Sequence, residues 1–154
     1  MGSILVGSAE QIHRARRIRK LMGGALRQAG MMAAAAIYAL ENNITRLADD
    51  HAHARLFAEE IAKIDGIHLD ASSVETNLIF FDVDQSVGDA MQLSAALKER
   101  GVRIGAMGPQ TLRACTHLSV TREEVLTAAQ TIRECLAAGI SHYPKAPFGP
   151  FARA

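Results

Sequence analysis

Arg19-Lys20-Leu21-Met22-Gly23-Gly24-Ala25-Leu26-Arg27-Gln28-Ala29-Gly30 joins a cationic helical pattern to an apolar one through a pair of glycines. Adjacent glycines let a backbone turn tightly and approach another group closely. They leave Lys20 and Arg27 seven residues apart on either side of the turn, where two cations can meet one anion. The same residues also fit a capped helix end followed by a new helix, with both cations in water. Upstream, Ser8 and Gln11 form a capping-box pattern, and Ile12, Ala15, Ile18 and Leu21 recur at helical spacing. This predicts a helix from Ala9 to about Met22. Around it Arg14, Arg16, Arg17, Arg19 and Lys20 repel one another unless an anion or acidic partner is near. Before the helix, the run Gly2 to Gly7 reads as a short buried strand.

Downstream of the glycines, Leu26 to Leu40 is apolar nearly all round, with four consecutive alanines that allow close helix approach. A helix apolar on every side is a buried one. A chain of 154 residues offers too little surface to bury it completely. Either the helix packs on another chain, or the sequence is part of a larger protein.

Composition bounds the rest. With 49% apolar residues, the chain supports one ordinary domain with a real core. Seventeen Lys plus Arg against sixteen Asp plus Glu leave a net charge of +1, so no global field draws nucleic acid or an acidic membrane. No apolar run is long enough to cross a bilayer, and the start lacks the pattern of a secretory signal, so a soluble cytoplasmic protein is expected. Cys115 and Cys135 read as two buried thiols. Asp49, His51 and His53 invite a metal reading, but only Asp49 and His53 share a helix face, and no metal site is expected.

After a second helical stripe from Ile44 to Ile64, the period changes at Asp65-Gly66. Ile67 to Leu69, Leu78 to Val83, Val102 to Met107 and Thr111 to Leu118 read as strands. Gly88 to Arg100 and the segment after the Thr121/Glu124 capping box read as helices. The order β-β-α-β-β-α suggests a small, mostly antiparallel sheet covered by helices on one face. In the last strand, alternation puts Leu112, Ala114, Thr116 and Leu118 on one side and Arg113, Cys115 and His117 on the other. A mid-strand arginine calls for a carboxylate or phosphate partner, either a ligand's carboxylate or an internal Asp or Glu. Beyond Gly139, three prolines and two phenylalanines predict an irregular tail that lies on a partner.

Taken together, Gly2-Ser3-Ile4-Leu5-Val6-Gly7-Ser8, the run Arg19 to Gly30, Glu75-Thr76-Asn77-Leu78-Ile79-Phe80-Phe81, Gly101-Val102-Arg103-Ile104 and Leu112-Arg113-Ala114-Cys115-Thr116-His117-Leu118 resemble the low-specificity L-threonine aldolases. The resemblance covers about Gly2 to Ala137 in collinear order. It implies the C-terminal part of a pyridoxal 5'-phosphate (PLP)-dependent fold type I chain of α/β class, with long linking helices and a small α+β domain. Residues 1–42 would end the large PLP-binding domain, 43–139 would form the linking helix and small domain, and 140–154 the tail.

The resemblance also implies the activity and the site. Family members cleave L-threonine or allo-threonine to glycine and acetaldehyde as homo-oligomers, dimers of dimers. Arg113 matches the arginine that holds the substrate carboxylate. Lys20 and Arg27 match cations near a neighbouring subunit's cofactor phosphate, while Ala25 and Leu26 stand where the family carries Gly and Met. The Schiff-base lysine lies upstream of the stretch matched by Gly2-Ser3, so Lys20, Lys63, Lys98 and Lys145 do not match it, and the chain by itself is expected to be inactive. The partner implied is a small amino acid, with neither nucleic acid nor membrane. The other reading is a non-catalytic amino-acid-binding module in which Arg113 grips a carboxylate and no chemistry follows.

Overall fold

The computed structural model describes residues 4–145. The chain divides into two compact units, Met1–Arg46 and Leu47–Ala154. The first holds α1 (Ala9–Leu21) and α2 (Ala29–Asn42). The expected capping box opens α1: Ser8 Oγ accepts from the Gln11 N–H at 3.3 Å, and Gln11 Oε1 accepts from the Ser8 N–H at 2.9 Å. The glycine pair closes the same helix. The Gly24 N–H donates to the Arg19 carbonyl at 2.8 Å and the Gly23 N–H to that of Lys20 at 3.2 Å, the paired bonds of a Schellman ending. Gly23 has φ 76°, and a Cβ on Gly24 would lie 2.9 Å from Arg19 Cγ, so a side chain is disfavoured at both positions.

One expectation for this unit is met and one is corrected. As expected of a chain too small to cover it, no residue of α2 is buried, and Met31, Ile37, Tyr38 and Leu40 are exposed. Residues 4–7 form no strand, and Ile4, Leu5 and Val6 are exposed, since a strand requires a neighbour to bond with. Gly2 and Ser3 lie outside the described residues.

The second unit runs α3 (Leu47–Ile61), β1 (Ile67–His68), a 3-10 turn (Ala71–Ser73), β2 (Leu78–Val83), α4 (Ala90–Glu99), β3 (Gly105–Ala106), β4 (Thr111–Cys115) and α5 (Arg122–Ala138). The strands form one antiparallel sheet in the order β1-β2-β4-β3. Along β2, Ile79, Phe81 and Val83 are buried while Leu78, Phe80 and Asp82 are exposed, so the sheet has one core face. That face packs with Ala54, Phe57, Ala58 and Ile61 of α3, Leu93 and Leu97 of α4, and Val125, Ala129 and Ile132 of α5. Phe57 and Phe81 meet edge to face, with ring centroids 6.3 Å apart. Capping boxes start α4 (Asp89 with Gln92) and α5 (Thr121 with Glu124).

β3 is shorter than its sequence suggests because the preceding residues bond to α4 instead. The Val102 N–H donates to the Leu97 carbonyl at 2.9 Å, and Ser94 Oγ donates to that of Ile104 at 2.7 Å. β4 stops at Cys115, and Leu118 is exposed beyond it. Of the two thiols expected to be buried, only Cys135 is, and burial pushes its pKa up; Cys115 is exposed on the outward sheet face. After α5, Ile140 is buried, and Gln92 Nε2 donates to the carbonyls of Ser141 at 3.2 Å and Tyr143 at 2.7 Å, fastening residues 140–143 to α4. The prolines and phenylalanines from Pro147 onward lie outside the described residues.

A pH dependence follows from the β1–β2 end of the sheet. Hydrogen bonds from Ser86, reinforced by His68 at 3.1 Å, lower the Asp84 pKa from 3.8 to about 2. A carboxylate whose folded pKa is depressed contributes stability above its unfolded pKa, and that contribution disappears as pH falls from about 4 to about 2. Acid unfolding followed by circular dichroism should therefore be shallower in this window for Asp84→Asn than for the parent chain.

Candidate functional site

Arg113 sits in the middle of β4, opposite Phe80 of β2 on one side and Gly105 of β3 on the other. Leu112 before it is buried in the core, so alternation turns Arg113 to the outward face of the sheet, where it is exposed. Phe80 and Leu78 share that face and are also exposed. The Arg113 side chain has no hydrogen bond or ion pair among the described residues, and Asp82, on the same face, does not pair with it. The internal-acid alternative is therefore unfilled among the described residues, and the guanidinium fork is available to a planar oxyanion.

Two strands position this arginine unequally. β2 pairs with all of β4, from Leu78 opposite Cys115 to Asp82 opposite Thr111. β3 pairs only with Leu112 and Arg113. Past Arg113 the β3-side edge of β4 opens onto a cleft of about 360 Å³ lined by Val102, Ile104, Ala114, Thr116 and Val125. That cleft includes core residues such as Phe57 and Ile79 and does not include Arg113, which is exposed on the outward face.

Lys20 lies in the last turn of α1 and Arg27 in the turn before α2. Both are exposed and have no ion pair among the described residues. They belong to the first unit and Arg113 to the second. The four lysines, Lys20, Lys63, Lys98 and Lys145, are all exposed, and Lys63 is held by Glu60 at 2.6 Å. Sequence reasoning missed the contacts of two residues near Arg113. Asn77 Nδ2 donates to the Thr116 carbonyl at 2.8 Å, and Thr116 Oγ1 donates to the Asp50 carbonyl at 2.6 Å. Both lie in stretches already singled out, but their partners are 39 and 66 residues away, beyond the reach of local pattern.

The chain belongs to the beta-eliminating lyase family, whose pattern matches residues 1–86. Among characterised relatives it is 40% identical over 137 residues to the low specificity L-threonine aldolase of Escherichia coli, and 37% identical over 126 residues to low-specificity L-threonine aldolase 1 of Arabidopsis thaliana. These matches cover 89% and 81% of this chain but only 39% and 35% of the relatives. The chain thus spans well under half the length of the curated relatives it matches. In structure it is similar to the cystine C-S lyase C-DES, with a TM-score of 0.56 and 19% identity over 69% of this chain and 28% of that one. One C-DES structure is a mutant with glycine covalently linked to its PLP cofactor. The fold is that of the PLP-dependent fold type I enzymes.

Proposed function

We propose that this chain forms the C-terminal part of a PLP-dependent low-specificity L-threonine aldolase, which cleaves L-threonine or allo-threonine to glycine and acetaldehyde. Residues 1–42 would end the large domain, 43–139 would supply the linking helix and small domain, and 140–154 the tail. The observation that carries the reading is Arg113: a mid-strand arginine with no partner among the described residues, on the outward face of a sheet of this fold. Identity to the aldolases over most of the chain supports the choice of reaction.

The donor set fits two ends of the ligand and lacks the third. Arg113 would hold the substrate carboxylate by a two-point, charge-assisted contact, which fixes how the amino acid is turned. Lys20 and Arg27, exposed and unpaired among the described residues, would neutralise the cofactor phosphate across a subunit boundary. By the resemblance, the lysine that anchors PLP lies upstream of the stretch matched by Gly2-Ser3, and Lys20, Lys63, Lys98 and Lys145 do not match it, so that anchor would belong to a part of the enzyme outside this chain. PLP, when bound, supplies the electron sink for carbon–carbon cleavage. The exposed apolar side of α2 and the basic run of α1 favour a homo-oligomer, and nothing in the charge balance favours nucleic acid. A cytoplasmic enzyme fits the reading, and no helix among the described residues is long and apolar enough to cross a membrane.

The test is the purified chain mixed with PLP and L-threonine. Neither an anchored-cofactor absorbance band nor acetaldehyde should appear. Acetaldehyde release by the chain alone would overturn the division of labour. Calorimetric binding of threonine or glycine without cofactor would favour the non-catalytic binding module instead.

A further inference from the structure

The strand that carries Arg113 is weakly held where it matters. β3 supports β4 only as far as Arg113, and the next three residues border an open cleft on that side. The end of β4 therefore depends on its other neighbours. At the start of β2, Asn77 engages it at two points: the Thr116 N–H donates to the Asn77 carbonyl at 3.0 Å, and Asn77 Nδ2 donates to the Thr116 carbonyl at 2.8 Å. The same amide nitrogen lies 3.3 Å from Cys115 Sγ, beside the outward face. From the helix side, Thr116 Oγ1 donates to the Asp50 carbonyl in the first turn of α3, and Thr116 is buried. Asn77 thus holds the β2-side edge of β4 at Thr116 with its backbone carbonyl and its side chain together.

We infer that Asn77 is the positioning residue of the Arg113 clamp, its side-chain amide fixing the end of β4 and so the direction from which the guanidinium meets a carboxylate. The inference rests on the reading of Arg113 as the carboxylate holder. Arg113 is exposed and has no side-chain partner among the described residues, so among them only the backbone beneath it fixes where the guanidinium starts from. A two-point contact tolerates little error in that aim. Replacing the amide by a carboxylate of the same shape removes the donor and sets two acceptors against each other.

The test has two parts. In the chain itself, Asn77→Asp should speed amide hydrogen exchange at Ala114 to Thr116 while leaving exchange in α5 unchanged. In a complete enzyme, made by joining this chain to the part of the Escherichia coli relative that lies outside the match, Asn77→Asp should raise KM for L-threonine about tenfold with a smaller change in kcat. Cofactor absorbance should not move. In an Arg113→Lys background the same substitution should add little, because the two residues act as one unit. If Asn77→Asp does not fold, Asn77→Ser, whose hydroxyl falls short of Thr116, carries the same expectation.

An unchanged KM, or an equal rise in the Arg113→Lys background, would overturn the positioning role. If Arg113→Lys alone left KM unaltered, the carboxylate reading would fall first and the positioning role with it.

Discussion

Replacing Arg113 by leucine in the complete enzyme should lower kcat/KM for L-threonine by about 100-fold to 1,000-fold, equivalent to about 3–4 kcal/mol of lost transition-state stabilisation. The side chain is exposed and has no partner among the described residues, so its removal leaves no orphaned acid among them. The loss should therefore fall on the ligand, with melting temperature and cofactor absorbance near those of the parent. Arg113→Lys should recover part of the loss only, because an ammonium keeps the charge and gives up the planar two-point contact. Steady-state kinetics with both variants, alongside a cofactor spectrum, checks the expectation. A catalytically silent Arg113→Leu would show that the arginine serves another partner.

The second large effect concerns stability and turns on adjacent residues. Phe81→Ala should destabilise the second unit by about 4 kcal/mol and lower its melting temperature by about 20 °C. Phe81 is 2% exposed, packs edge to face on Phe57, and sits where the sheet meets α3, so truncation removes apolar burial and leaves a cavity. Phe80 precedes it in sequence but is 52% exposed on the opposite face. Phe80→Ala should change stability by no more than about 0.5 kcal/mol. Thermal melts of the two variants read the strand's alternation directly, and equal losses would contradict the burial of one face of β2 alone.

How much of this was legible before the structure depends on the range of the interaction. The capping boxes of Ser8 with Gln11 and Thr121 with Glu124 are local, and both formed where the sequence put them. The alternation of β4 is local too, and it put Arg113 on the face opposite Leu112, as the sequence reads; that this face is the exposed one was not legible. The extent of β3 was not legible, because Ser94 and Leu97 take up the backbone groups that would have extended it. Nor was Gln92, buried in α4, whose amide fastens residues 140–143 through contacts 49 and 51 residues distant. The α2 pattern was read correctly as apolar all round, yet the inference of burial required a partner that the described residues do not supply. The exposure of Cys115 follows from its sharing a face with Arg113, a consequence of strand parity that composition alone obscures.

Product analysis of the complete enzyme bears most directly on what this chain is for. With PLP bound, it should release glycine and acetaldehyde in equal amounts from L-threonine and from L-allo-threonine, while the 154-residue chain alone releases neither. An assembled protein that folds, holds PLP and binds glycine through Arg113, yet forms neither product, would contradict the aldolase reading and leave a binding module in its place.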